Sequence, residues 1–150
     1  MNISGKMASQ YVKFDPDFDK NEQIGVASID LRISEDVVIY PPHALYGLST
    51  YLVSSLESVD MPENLSALLT LRTSTFRRGL ALASLGFVDP GYRGNLTFRL
   101  THTNSYADGI IRLNRGDRVA QLIFLQVLGN SDLYGGKYQD STGTAGYIPD

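Results

Sequence analysis

From Asn95 to Thr103 apolar and polar side chains alternate, Leu96, Phe98 and Leu100 interleaving with Thr97, Arg99 and Thr101. A period of two puts the two sets on opposite faces of an extended strand, one for a core and one for something else. Other short pieces with β character run along the chain: Val26 to Ile33, Val37 to Tyr40 ahead of Pro41-Pro42, Ser49 to Val59, and Leu68 to Thr73. A last pair, Ile110–Leu113 and Arg118–Val127, is joined by the turn signal Asn114-Arg115-Gly116-Asp117. No long segment carries a helical period with caps at both ends, so at most one short helix is expected, near Leu65–Leu69 or Thr75–Arg78. Many short strands at short spacing predict an all-β sandwich, jelly roll or barrel.

One domain suffices. The 150 residues are 43% apolar and 19% charged, with no internal repeat and no break in composition. A polar, acidic lead-in reaches to about residue 21, and a Gly-, Ser- and Thr-rich tail expected to be mobile runs from about residue 131 to 150. The absence of Cys rules out disulfides, thiolate nucleophiles and Cys-containing zinc sites, and two His residues, His43 and His102, cannot build a His-rich metal site. A net charge of −3 argues against a broad nucleic-acid surface. It leaves room for a small polyanion held by clustered Arg. No apolar run has the length of a signal peptide or a membrane span, so the expectation is a cytoplasmic protein.

Four segments carry residues suited to chemistry. Ala27-Ser28-Ile29-Asp30-Leu31-Arg32 places Asp30 on the opposite face of a strand from Ile29 and Leu31. Arg72 to Arg78 holds three Arg and three hydroxyl residues in seven positions, the forks and donors that a chain of phosphates needs. Gly86-Phe87-Val88-Asp89-Pro90-Gly91-Tyr92-Arg93-Gly94 fixes a carboxylate at a rigid turn beside an aromatic ring, fit to hold a sugar hydroxyl and orient a water. In the tail, Lys137, Ser141 and Thr142 can meet phosphate oxygens among glycines, although the spacing is not that of a P-loop. Taken singly, the four also read as a half-buried strand, a basic surface turn, an ordinary hairpin and a disordered tail.

Their order and spacing together resemble the trimeric dUTPase / dCTP deaminase superfamily, over about residues 27–143. ASIDLRI resembles its first motif, LRTSTFRRGLAL its Arg-Ser-Ser motif, GFVDPGYRGNL its third and NRGDRVAQLIF its fourth. YGGKYQDSTG resembles the tail in a form closer to the deaminase branch. The resemblance implies a jelly-roll-like β fold, a homotrimer with active sites shared between subunits, and Mg²⁺ bound mainly through the triphosphate rather than by protein ligands.

The same resemblance distinguishes two activities. In the deaminase branch a Glu general base stands five residues after the second Gly of the third motif. Here that position is Arg99, which stays protonated and cannot take a proton from water. The four Glu residues, Glu22, Glu35, Glu57 and Glu63, all precede the Arg-Thr-Ser motif. The expectation is therefore a dUTP diphosphatase that releases dUMP and pyrophosphate, with dCTP deamination and a non-catalytic nucleotide-binding role as alternatives. Asp89 matches the carboxylate that binds the 3′-hydroxyl and orients the attacking water, with Asp30 in support. Tyr92 matches the ring beneath the deoxyribose. Arg72, Thr73, Ser74 and Gln121 match phosphate-binding positions, and Arg77 matches an Arg of the deaminases. Ser84 lies in the hairpin that reads the base. Lys137, Tyr138 and Gln139 are candidate tail contacts, standing where the dUTPase pattern has other residues. If Arg99 points where the deaminase Glu points, its donors favour uracil over cytosine.

Overall fold

The computed structural model describes residues 1–83, 85–103, 109–129 and 132–150. Among them are ten strands: β1 (Val12–Lys13), β2 (Ile29–Arg32), β3 (Val37–Ile39), β4 (Thr50–Asp60), β5 (Leu65–Leu71), β6 (Leu80–Leu82), β7 (Gly86–Val88), β8 (Arg93–His102), β9 (Ile111–Leu113) and β10 (Arg118–Gln126). They form two four-stranded sheets, ordered β1-β4-β8-β6 and β2-β10-β5-β7, and a small β3-β9 ribbon, with every strand pair antiparallel. From β4 to β8 the chain changes sheet at each connection, as in a jelly roll. Both sheets contribute to one core, with Val53, Leu100 and Leu80 from the first and Ile29, Leu31, Leu122 and Phe124 from the second.

The alternating segment forms β8 with the expected facing: Leu96, Phe98, Leu100 and His102 are buried, and Thr97, Arg99 and Thr101 are not. Asp30 likewise faces away from the fully buried Ile29 and Leu31. The short helix is α2 (Thr73–Arg77), between β5 and β6. Leu65–Leu69, the other place considered for it, lies in β5, because it pairs with β10 on one side and β7 on the other. The lead-in adds one more helical turn, α1 (Gly5–Ala8), which the sequence reading did not anticipate. That lead-in is packed onto the body. Ile3 N donates to Phe124 O (3.1 Å), Val12 pairs with Val59, and the Phe18 ring lies 4.6 Å from the Arg32 guanidinium and 5.7 Å from that of Arg115.

One charged side chain is sealed in the interior. β4 slips register against β8 between Ser54 and Ser58, and the irregularity turns Glu57 inward with no exposed surface. Its carboxylate accepts from Arg32 N (3.0 Å) and Gln23 Nε2 (2.6 Å). Arg32 in turn donates to Gln23, Glu22 and Gly116 O. Among the described residues no buried side-chain polar atom lacks a partner.

Candidate functional site

The Asp-Pro-Gly-Tyr segment is a type II turn. Pro90 occupies its second position, Gly91 has φ +83° at the third, and Tyr92 N closes it on Asp89 O (3.2 Å). Met61 fixes the turn from outside, its O accepting from Gly91 N and its N donating to Tyr92 O. The result is an exposed Asp89 at the rim of a cleft and a buried Tyr92 in its wall. The Tyr92 hydroxyl donates to Asn95 O (2.6 Å), and its ring stands edge-on to Tyr134 at 5.5 Å. Burial pushes the Tyr92 phenol above its ordinary range, so it stays protonated and donates.

The cleft holds about 440 Å³ and its walls are largely aromatic, with Phe87, Tyr134, Tyr138 and Tyr147 beside Tyr92. Asp89 and Arg99 are its charged lining residues. One wall is the tail, which runs parallel to β8 in the same chain. Asp140 N donates to Arg93 O, Asn95 N to Ser141 O, Gly143 N to Asn95 Oδ1 and Ala145 N to Thr97 Oγ1. Arg93 also pairs with Asp140 (3.0 Å), and this guanidinium holds the Asp140 carboxyl below its ordinary range. The approach is close at Gly94, where φ is +139° and a Cβ would stand 2.8 Å from Ser141 N and O.

A second, polar cleft of about 380 Å³ lies at the other end of the β2-β10-β5-β7 sheet. Arg72, Ser74, Arg78, Arg118 and Arg32 line it. The carboxylates of Glu22 and Asp117 also line it, and Asp30 lies beside it, 2.9 Å from Arg72 Nε and 3.4 Å from Arg118. Burial raises the Asp30 carboxyl, and the Arg72 and Arg118 charges pull it back. Gln121 stands opposite both Asp30 and Thr70 on β10, taking a bond from Ser28 Oγ and giving one to Thr70 Oγ1.

The sequence candidates thus fall into two groups. Asp89, Tyr92 and Tyr138 line the aromatic cleft, while Asp30, Arg72, Ser74 and Gln121 gather at or beside the polar one. Thr73 and Arg77 are exposed on α2 and line neither cleft. Lys137 pairs with Asp150, and Gln139 uses its amide within the chain, bonding Gly91 O, Tyr134 O and Arg93 N. Ser84 lies outside the described residues. Sequence reasoning missed Arg32 and Arg118 in the polar cleft, whereas Arg78 belongs to the Arg-rich segment it had marked for phosphates. Arg118 had a signal, since it sits inside the NRGDRVAQLIF motif three residues before Gln121. Thr75, one of the three hydroxyl residues, lines the polar cleft, but it is buried and its hydroxyl donates to Val119 O, anchoring α2.

No described cluster of three or more His, Asp or Glu side chains is placed to hold a metal ion, and no described helix is long and apolar enough to cross a membrane.

The architecture is the one seen in dUTPases and dCTP deaminases. A mutant dUTPase of Staphylococcus bacteriophage 80alpha, solved with dUpNHpp, superposes with a TM-score of 0.59 at 22% identity, over 84% of this chain and 95% of that one. The phage phi11 dUTPase, described with a structural Mg(II) ion, gives 0.56 at 23% identity over 75% and 85%. A dCTP deaminase from Agrobacterium tumefaciens gives 0.63 at 19% identity over 84% of this chain and 48% of that one. Residues 42–127 match the dCTP deaminase-like family, and this chain belongs to it. A dUMP-forming dCTP deaminase of Sulfurihydrogenibium is 29% identical over 148 residues, covering 81% of each chain.

Proposed function

We propose that this protein is a dUTP diphosphatase, hydrolysing dUTP to dUMP and pyrophosphate by attack of water on the α-phosphorus. Arg99 carries the reading. Deamination needs a group in the base cleft that takes a proton from water, and β8 presents a guanidinium there. Among the cleft's described lining residues Asp89 is the only carboxylate, and it sits at the rim, on the turn that also carries Tyr92. The names of the relatives favour the second reading, dCTP deamination.

The division of labour follows the two clefts. The aromatic cleft takes deoxyribose and base, with Tyr92 as the floor of the sugar and Asp89 accepting from the 3′-hydroxyl and the attacking water. The polar cleft takes the phosphates on Arg72, Arg118 and Ser74, and Asp30 holds two of those guanidiniums in place. Positioning and charge neutralisation supply most of the acceleration. Mg²⁺ suits this donor set as a passenger on the triphosphate, since the Asp30 carboxylate is already engaged by Arg72 and Arg118. When bound, it screens the phosphate charge.

The clefts share no lining residue. Asp89 follows Val88, which pairs with Ala67, whereas Arg72 follows Leu71 at the other end of β5. About six residues of strand separate them, on the order of 20 Å. That span argues for a homotrimer in which Asp89 of one subunit works with Arg72 of another.

Product analysis with dUTP and dCTP in Mg²⁺ decides the matter. Pyrophosphate and dUMP from dUTP, without ammonia from dCTP, is the expected result. Ammonia from dCTP overturns it in favour of deamination, and tight binding without product moves the protein to a nucleotide-binding role.

A further inference from the structure

Along the cleft-facing side of β8 three polar side chains follow one another, and two are engaged. Asn95 accepts from Gly143 N and donates to the Ser55 and Glu57 carbonyls, and Thr97 accepts from Ala145 N. Arg99 comes next. It is exposed, and among the described residues it has no hydrogen bond or ion pair. β8 places it opposite Leu52 and next to Leu100, which pairs with Leu82 at the end of β6. A guanidinium has five donors and no acceptor, and it stays charged throughout the working pH range.

A phosphate would also satisfy those donors. The polar cleft, with four other Arg side chains, is better built for phosphate, and the cleft around Arg99 is walled by Phe87, Tyr134, Tyr138 and Tyr147. Flat aromatic walls suit a pyrimidine ring. The group facing Arg99 is then the base edge. The two common pyrimidines differ at position 4, where uracil carries a carbonyl oxygen and cytosine an amino group. They share an acceptor at position 2.

We propose that Arg99 is the specificity-determining residue of the aromatic cleft, donating to the position-4 oxygen of uracil and rejecting the position-4 amino group of cytosine. The inference rests on the dUTP reading above and deepens it. Donors of Arg99 facing the donor amino group of cytosine find no acceptor, which sets the two bases apart, whereas contact at position 2 would produce no discrimination.

The test compares wild type with Arg99→Ala and Arg99→Lys, using pyrophosphate release from dUTP and dCTP and, separately, binding of dUMP and dCMP by titration calorimetry. Thermal unfolding verifies that the exposed substitution leaves the fold intact. In Arg99→Ala the uracil preference falls by about tenfold or more in both assays. Arg99→Lys, which keeps a donor-only head, retains most of it. Equal weakening of uracil and cytosine nucleotides would assign Arg99 to phosphate or to position 2 and overturn the inference, as would an unchanged ratio. The monophosphate measurement is independent of catalysis. If wild type binds dUMP selectively through Arg99 yet hydrolyses no dUTP, the diphosphatase reading fails and this inference stands.

Discussion

Glu57 is a carboxylate with no exposed surface, and burial raises its pKa above the ordinary range despite bonds from Arg32 N and Gln23. A raised folded-state pKa means that the native protein binds this proton more tightly than the unfolded chain. The associated stability is fully present below the unfolded value and is lost as pH rises through the folded one. We therefore expect Glu57→Gln, which keeps an acceptor for both donors, to flatten the decline in stability as pH rises above the ordinary carboxylate range, as read by denaturant unfolding. Glu57→Ala strands both donors and costs about 3 kcal/mol or more at neutral pH. At this scale the sequence is most readable where a residue acts through its neighbours in the chain. Asp89, Pro90, Gly91 and Tyr92 make their own turn, and their pattern names it. Glu57 carries no such mark. Its partners are 25 and 34 positions away, and only a register slip in β4 turns it inward.

Among the elements, the tail is the one whose role changes most between sequence and structure. Its composition suggests mobility, yet in this structure it lies along β8 and braces the Asp89 turn. Gln139 bonds both Gly91 O and Arg93 N, and Tyr134 N donates to Pro90 O. The glycines of the third motif serve this contact, for a Cβ at Gly91 would meet Leu133 at 2.8 Å, just as one at Gly94 meets Ser141. Truncation after Gly129 is expected to lower turnover far more than melting temperature, because the tail is mostly exposed and contributes little to the core. Gln139→Ala is expected to lower kcat by about tenfold with a smaller change in KM, since it loosens the turn rather than removing a substrate contact. Full activity in the truncated protein would show that the turn holds without its brace. The strands β6 and β7, three residues each, exist because β8 and β5 offer them edges.

For the whole molecule, the separation of the two clefts leads to a mixing experiment. Asp89→Asn and Arg72→Ala are each expected to be inactive as pure assemblies. Refolded together they should recover activity, because mixed assemblies hold some sites with Asp89 from one subunit and Arg72 from another. Independent copies would show no recovery. Sedimentation of the wild type should give a trimer at working concentration.

Read alone, the sequence determined what depends on short spacings: the period-two facing of β8, the half-buried Asp30 facing away from Ile29 and Leu31, the Asp-Pro-Gly-Tyr turn, and the order of motifs that marks the family. The tertiary structure decided what depends on distant strands meeting. It sorted the candidates into two clefts, brought in Arg32 and Arg118, spent Gln139 within the chain, and left Arg99 without a partner among the described residues in the aromatic cleft. The physical reason is that alternation along a strand fixes which face a side chain takes, whereas its partner on that face is set by sheet order and register, which no local pattern encodes.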